Sequence, residues 1–123
     1  MNIIIFEDQE TSNLEPLTIN HASFEIRCGA FTNLERIYRL FPEDSKFYLI
    51  NREELADITR ERFREAIVNP LEIPPGLYLN GATLWNQENK SLIETGKSYS
   101  TNGILLAIDH LEVLRLNEFQ DFL

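Results

Sequence analysis

The sequence predicts an α/β fold, a mostly parallel sheet flanked by helices. Three observations carry this reading. Ile3, Ile4, Ile5 and Phe6 form an unbroken β-branched and aromatic run, the pattern of a strand buried on both faces. A second extended run, Lys46 to Ile50 (KFYLI), follows a stretch with helical periodicity. Further short apolar runs then alternate with helical or turn segments, the order of a layered sheet with crossover helices.

The first run stops at Glu7-Asp8, and residues 9–20, polar and containing Pro16, read as a long loop. Thr32-Asn33-Leu34-Glu35 has the spacing of a capping box, so a helix starts there. Leu34, Ile37, Tyr38 and Phe41 fall on one face of that helix, and Pro42 ends it. After the KFYLI strand, Asn51 and Glu54 repeat the cap spacing and predict a second helix to residue 65. Its charges suit the helix dipole, with Glu53 and Glu54 early and Arg60, Arg62 and Arg64 late.

Residues 66–68 read as a short strand, and Pro70, Pro74, Pro75 and Gly76 as a connector with turn chemistry. An extended segment at 77–79 ends at Asn80-Gly81, Thr83-Leu84-Trp85 follow, and residues 86–90 read as a polar turn. Leu92-Ile93 and residues 103–108 read as later strands. Phe119 and Phe122 stand at helical spacing in a tail too short to hold a helix by itself. No internal repeat or low-complexity tract is visible. The absence of a clear terminal element reads as truncation.

The 123 residues suit a single domain, 1–123, large enough to bury a core without disulfides or metal. The lone Cys28 leaves no internal disulfide and no cysteine zinc site. The opening residues are too acidic for a signal peptide, and no apolar run approaches the ~20 residues of a membrane helix. The expectation is a cytoplasmic protein without membrane partners. A net charge of −9 repels a nucleic-acid backbone, so no nucleic-acid partner is expected. A small phosphate ligand is still compatible, because one Arg with backbone N–H groups can hold it.

In a Rossmann-like parallel sheet, ligands bind beyond the carboxyl ends of the strands. The loop after Phe6, the tail of the KFYLI strand and Asn80-Gly81 should converge there. Arg27 and Gly29 sit just before a capped helix start, where free N–H groups and a guanidinium can meet an anion. His21 lacks a partner in sequence and reads as a structural loop residue, as does His110 beside Asp109. Glu7, Asp8, Glu10, Glu15 and Glu25 read as a solvated acidic face unless geometry gathers them on a cation. Cys28 reads as a small packed hydrophobe, and Trp85 as a core or edge anchor.

Three groups of words in order resemble a bacterial family. They are Asn2-Ile3-Ile4-Ile5-Phe6-Glu7-Asp8, then Leu14-Glu15-Pro16-Leu17-Thr18, then Phe24-Glu25-Ile26-Arg27-Cys28-Gly29 with Thr32 and Glu35. The family is that of sugar nucleotidyltransferases similar to the N-terminal part of the bifunctional UDP-N-acetylglucosamine pyrophosphorylase/glucosamine-1-phosphate acetyltransferase. The resemblance spans roughly residues 1–85. It implies a partial nucleotidyltransferase-type domain, a nucleotide or sugar phosphate as partner, and transfer of a nucleotidyl group from an NTP to a sugar 1-phosphate. Mg²⁺ as cofactor, and a homo-oligomer or a further C-terminal domain, also enter by resemblance alone.

By the same resemblance, Arg27, Gly29, Arg36, Asn80 and Gly81 are the candidate nucleotide- or phosphate-binding residues. No catalytic residue is assigned. The departures are specific. The Gly-rich loop of classical nucleotidyltransferases lines up with Glu7-Asp8-Gln9-Glu10-Thr11-Ser12-Asn13, their Pro-Lys with Ala22-Ser23, and their metal-binding Asp with Ala82. The sequence therefore leaves catalysis open. It supports either a nucleotide-binding domain incomplete as an enzyme or a non-catalytic module for assembly or regulation. A response-regulator-like domain fits Glu7-Asp8 but lacks the later Asp and Lys.

Overall fold

The computed structural model describes residues 1–7, 22–28, 30–83, 85–90, 98–101, 104–110 and 112–119. The loop expected at 9–20, His21, Gly29, Leu92-Ile93 and Phe122 lie outside the described residues. In chain order the strands are β1 (Asn2–Phe6), β2 (Arg27–Cys28), β3 (Phe31–Thr32), β4 (Lys46–Ile50), β5 (Ile67–Val68), β6 (Glu72–Ile73), β7 (Gly76–Asn80), β8 (Ser98–Thr101), β9 (Ile104–His110) and β10 (Leu114–Arg115). The helices are α1 (Asn33–Leu40), α2 (Ala56–Arg62) and a single turn, α3 (Gln87–Lys90).

Among the described residues the main sheet has six strands in the order β5-β4-β1-β7-β9-β8. β1 pairs in parallel with both β4 and β7, and β4 with β5. β9 joins β7, and β8 joins β9, antiparallel. The predicted mostly parallel α/β sheet is therefore present, with two antiparallel strands at one side. Ile3, Ile4, Ile5 and Phe6 are all fully buried because β1 is central and both of its faces are covered.

The two faces are covered differently. Ile3 and Ile5 point into a cluster with Leu49, Leu79, the α1 residues Leu34 and Ile37, and Phe41 just after the helix. Ile4 and Phe6 point into the other, with Ile50, Ile73, Tyr78 and Phe119. The chain steps from β1 to β4 to β5 in one direction, and α1 and α2 both pack on the first face. It then reverses past β1 to reach β7, and a right-handed crossover in the reverse direction must use the opposite face. Residues 69–75, with β6, make that return. β10 pairs with β6, and Leu116 N–H donates to the Leu71 carbonyl (3.0 Å), so a C-terminal strap closes the second face.

α1 follows its sequence signals. Thr32 is the N-cap, and Thr32 and Glu35 exchange the two bonds of a capping box. The second helix differs from the expectation. Asn51 does not cap it, and residues 53–55 form a 3-10 turn before α2 starts at Ala56 and ends at Arg62. Asn51 is drawn away by tertiary partners: its N–H donates to Asn69 Oδ1 (2.9 Å) and its Nδ2 to Thr59 Oγ1 (2.6 Å). The polar turn expected at 86–90 contains α3, tied to α1 by Lys90, whose Nζ donates to the Leu40 carbonyl (2.7 Å). That places a cation at the carbonyl end of α1. In the tail, residues 116–118 form a 3-10 turn.

Candidate functional site

The carboxyl ends of β1, β4, β5 and β7 face one end of the sheet. The end of β1 carries Glu7, buried apart from 4% of its surface. One carboxylate oxygen accepts the Ser23 N–H (2.9 Å). The other accepts the Arg52 N–H (2.9 Å) and Arg52 Nε (3.4 Å). Glu7 thus ties β1 to the segment following β4 and to the 3-10 turn at Ser23–Glu25. The acidic residue that stands where a phosphate loop would begin is an internal acceptor.

The Asn80-Gly81 turn after β7 is also knitted into the protein. Asn80 Oδ1 accepts the Ala82 N–H (2.9 Å), and the Asn80 carbonyl accepts Trp85 Nε1 (3.0 Å). Gly81 N–H donates to the Phe6 carbonyl (2.8 Å), and its own carbonyl accepts Asn33 Nδ2 (2.9 Å). A Cβ on Gly81 would lie 2.8 Å from the Phe24 Cβ and 3.2 Å from the Phe6 carbonyl oxygen. The crevice between β1 and β7 is filled here by Phe24. Gly81→Ala should cost about 1–3 kcal/mol by overpacking, read as a lower denaturant midpoint. A midpoint equal to wild type would show that Phe24 can yield.

Arg27 and Arg36 lie on the other flank of the same turn. β2 and β3 form a hairpin whose base is closed by Asn33 N–H on the Ile26 carbonyl (2.9 Å). Asn33 also reaches Gly81, so hairpin and turn stand at the same end of the sheet. Arg27 is exposed and donates to the Ala30 carbonyl (2.8 Å). Arg39 lies over the Phe31 ring at 4.2 Å and Arg36 at 5.9 Å. Hydrogen bonds from Thr32, backbone first and then hydroxyl, hold Glu35 below the usual carboxylate range, and Arg27 and Arg39 add to this. The hairpin therefore carries a small basic surface on an acidic chain. Arg27 and Arg36 share it, whereas Asn80 and Gly81 sit in the packed turn beside it.

The open space lies one strand further along. A cleft of about 960 Å³ sits beyond the carboxyl ends of β4 and β5, closed on its far side by the C-terminal strap. That is within the ~300–1,000 Å³ typical of small-molecule sites. Arg52, Arg60 and Arg115 bring guanidinium groups to its lining; Glu53, Asp57, Glu72, Asn51, Asn69 and Asn117 bring acceptors and amides. Ile50, Leu71, Leu116 and Phe119 supply an apolar floor and wall.

Two of these guanidiniums are held in place. Arg52 is anchored by Glu7. Arg60 donates to Asp57 (3.0 Å) and to the Val68 carbonyl at the end of β5 (3.3 Å). Arg115 stands in β10 directly opposite Glu72, with an exposed side chain. Asn69 completes the rim in a left-handed conformation (φ 47°), which Asn tolerates better than most residues. Its side chain bonds both the N–H and the carbonyl of Asn51, extending the β4–β5 ladder by one step.

Sequence reasoning expected the tail of the KFYLI strand to reach a site but named none of these arginines as ligand contacts. Arg52 had a usable signal, its place directly after a strand's carboxyl end. Arg60 read as a helix-dipole residue, and Arg115 carried no signal, because only the strap brings it here.

The turn after β7 offers no carboxylate for the Mg²⁺ implied by resemblance. Ala82 follows Asn80-Gly81 and offers no ligand. Both Glu7 oxygens accept N–H groups. Among the described residues no group of three His, Cys, Asp or Glu side chains gathers to hold a metal ion. Among them, too, no helix is long and apolar enough to cross a membrane.

A parallel sheet with its open cleft at the carboxyl ends is the arrangement in which nucleotide ligands are held. Neither curated proteins nor solved structures gave a match to this chain. A family model described as sugar nucleotidyl transferase matches residues 3–122, nearly the whole sequence. The chain, with its mostly parallel sheet and cleft, thus belongs to the sugar nucleotidyl transferase family.

Proposed function

We propose that this domain binds a nucleotide or nucleotide sugar in the cleft beyond β4 and β5. The observation that carries the reading is the composition of that cleft. Three guanidiniums suit phosphate oxygens, while Glu53, Asp57, Glu72 and the nearby amides suit the hydroxyls of a ribose or sugar. A ligand with phosphates and hydroxyls in one molecule uses both halves; a simple anion uses only one. Family membership supports the same class of ligand.

Calorimetry or thermal shift with UDP-N-acetylglucosamine, UTP and inorganic phosphate tests this. A ligand at ~100 times its Kd should stabilise the fold by ~2.7 kcal/mol. For a chain this size that raises the unfolding midpoint by roughly 10 °C. Arg60→Ala and Arg115→Ala should abolish most of that shift. Arg27→Ala tests the hairpin, where Arg27 with Gly29 and Arg36 forms the contact expected from resemblance; unchanged affinity removes Arg27 from the site. No shift with any of the three ligands would overturn the proposal.

A second reading is favoured by Ala82 and by the commitment of Glu7 to internal N–H groups. On it the domain binds without catalysing, as part of an assembly or a regulatory unit. Release of pyrophosphate from UTP and a sugar 1-phosphate would count against it.

A further inference from the structure

Resting on the nucleotide-sugar reading above, we infer that this domain holds the ligand's diphosphate by guanidinium groups alone, so that binding is independent of divalent cation. A diphosphate bridge carries about two negative charges that a binding site must neutralise, and metal and arginine are alternative ways to do so. The cleft has the second means; among the described residues no three His, Cys, Asp or Glu side chains gather to supply the first. Arg52, Arg60 and Arg115 approach it from three separate elements. The segment after β4 gives Arg52, α2 gives Arg60, and the C-terminal strap gives Arg115.

Their fork geometry matches phosphate oxygens, and tethering of Arg52 by Glu7 and of Arg60 by the Val68 carbonyl limits the conformational freedom lost on binding. Glu53, Asp57 and Glu72 of the lining do not gather into a group of three that could hold a metal ion. The Asp57–Arg60 pair is solvent-exposed and therefore weak, so an incoming phosphate can take over the guanidinium. The position that lines up with the metal carboxylate of classical nucleotidyltransferases is Ala82.

The test is titration calorimetry of the whole chain with UDP-N-acetylglucosamine, once in Mg²⁺ and once in EDTA. The expected Kd values agree within about twofold. Arg115→Ala and Arg60→Ala should each weaken binding about tenfold or more in both buffers, with folding of each variant verified by its melting curve. Arg115→Lys keeps the charge but loses the fork, and should recover only part of the affinity. Binding that appears only with Mg²⁺ would overturn this inference and leave the nucleotide-sugar reading standing. Wild-type affinity in both arginine-to-alanine variants would overturn it as well, and would also move the ligand out of this cleft. No binding in either buffer would sink both.

Discussion

Glu7→Ala should lower the unfolding midpoint by roughly 10–20 °C, the equivalent of about 3–5 kcal/mol. The side chain is almost fully buried and is the shared acceptor for two backbone N–H groups and one guanidinium. Removing it leaves the buried Ser23 N–H and the half-buried Arg52 N–H without this acceptor, and an unmet buried donor costs about 1–3 kcal/mol. The damage should be local to the carboxyl end of the sheet. Hydrogen exchange should therefore quicken at Ser23 and Arg52 more than in α1. Glu7→Gln keeps one acceptor oxygen and should fall between wild type and Ala. A midpoint within a few degrees of wild type for Glu7→Ala would show that water replaces the carboxylate, and that Glu7 does not organise this end of the sheet.

Phe119→Ala should cost about 3–5 kcal/mol and also weaken ligand binding in the cleft. Its ring is 1% exposed, packs edge-on to Phe6 at 5.6 Å and stacks near Tyr78 at 6.3 Å. It is the most buried apolar residue of the strap, whose other described contacts are the half-buried Leu114 and Leu116, the two-residue β6–β10 pairing and the Leu116–Leu71 bond. With the ring gone, the strap should open at low free energy and carry Arg115 away from the cleft. Denaturant melts give the stability loss, and exchange at the Leu116 amide reports the opening. Phe119→Leu refills most of the volume and should restore both. If Phe119→Ala unfolds early but the strap amides stay as protected as the rest, the strap is held by something other than this anchor.

Much of the fold was legible because its signals are local. The run Ile3–Phe6 announces a strand covered on both faces, since no exposed strand could carry four consecutive large apolar side chains. Thr32 and Glu35 cap α1 through contacts three residues apart, which a sequence displays directly. Asn51 misled for the opposite reason. Its spacing to Glu54 matches a cap, but a residue 18 positions away, Asn69, takes its backbone N–H. The candidate site was legible only as a location. Arg27 and Arg36 share the hairpin surface, and Asn80 and Gly81 the neighbouring turn, yet the turn is filled by Phe24, a contact across more than 50 residues.

The sequence by itself determined β1, β4, β5, β7 and most of β9, the first helix, the family and the absence of an Asp after Asn80-Gly81, but not the short pairs β2–β3 and β6–β10 or the edge strand β8. These depend on side-chain type and on spacing within a turn or a strand. Tertiary structure alone decided where the open space lies and which cations reach it. Arg52, Arg60 and Arg115 are separated by up to 63 positions in the chain and meet only because the return crossover and the strap close over the ends of β4 and β5. Charge convergence of that kind is set by chain path and packing, and neither leaves a periodicity in the sequence to read.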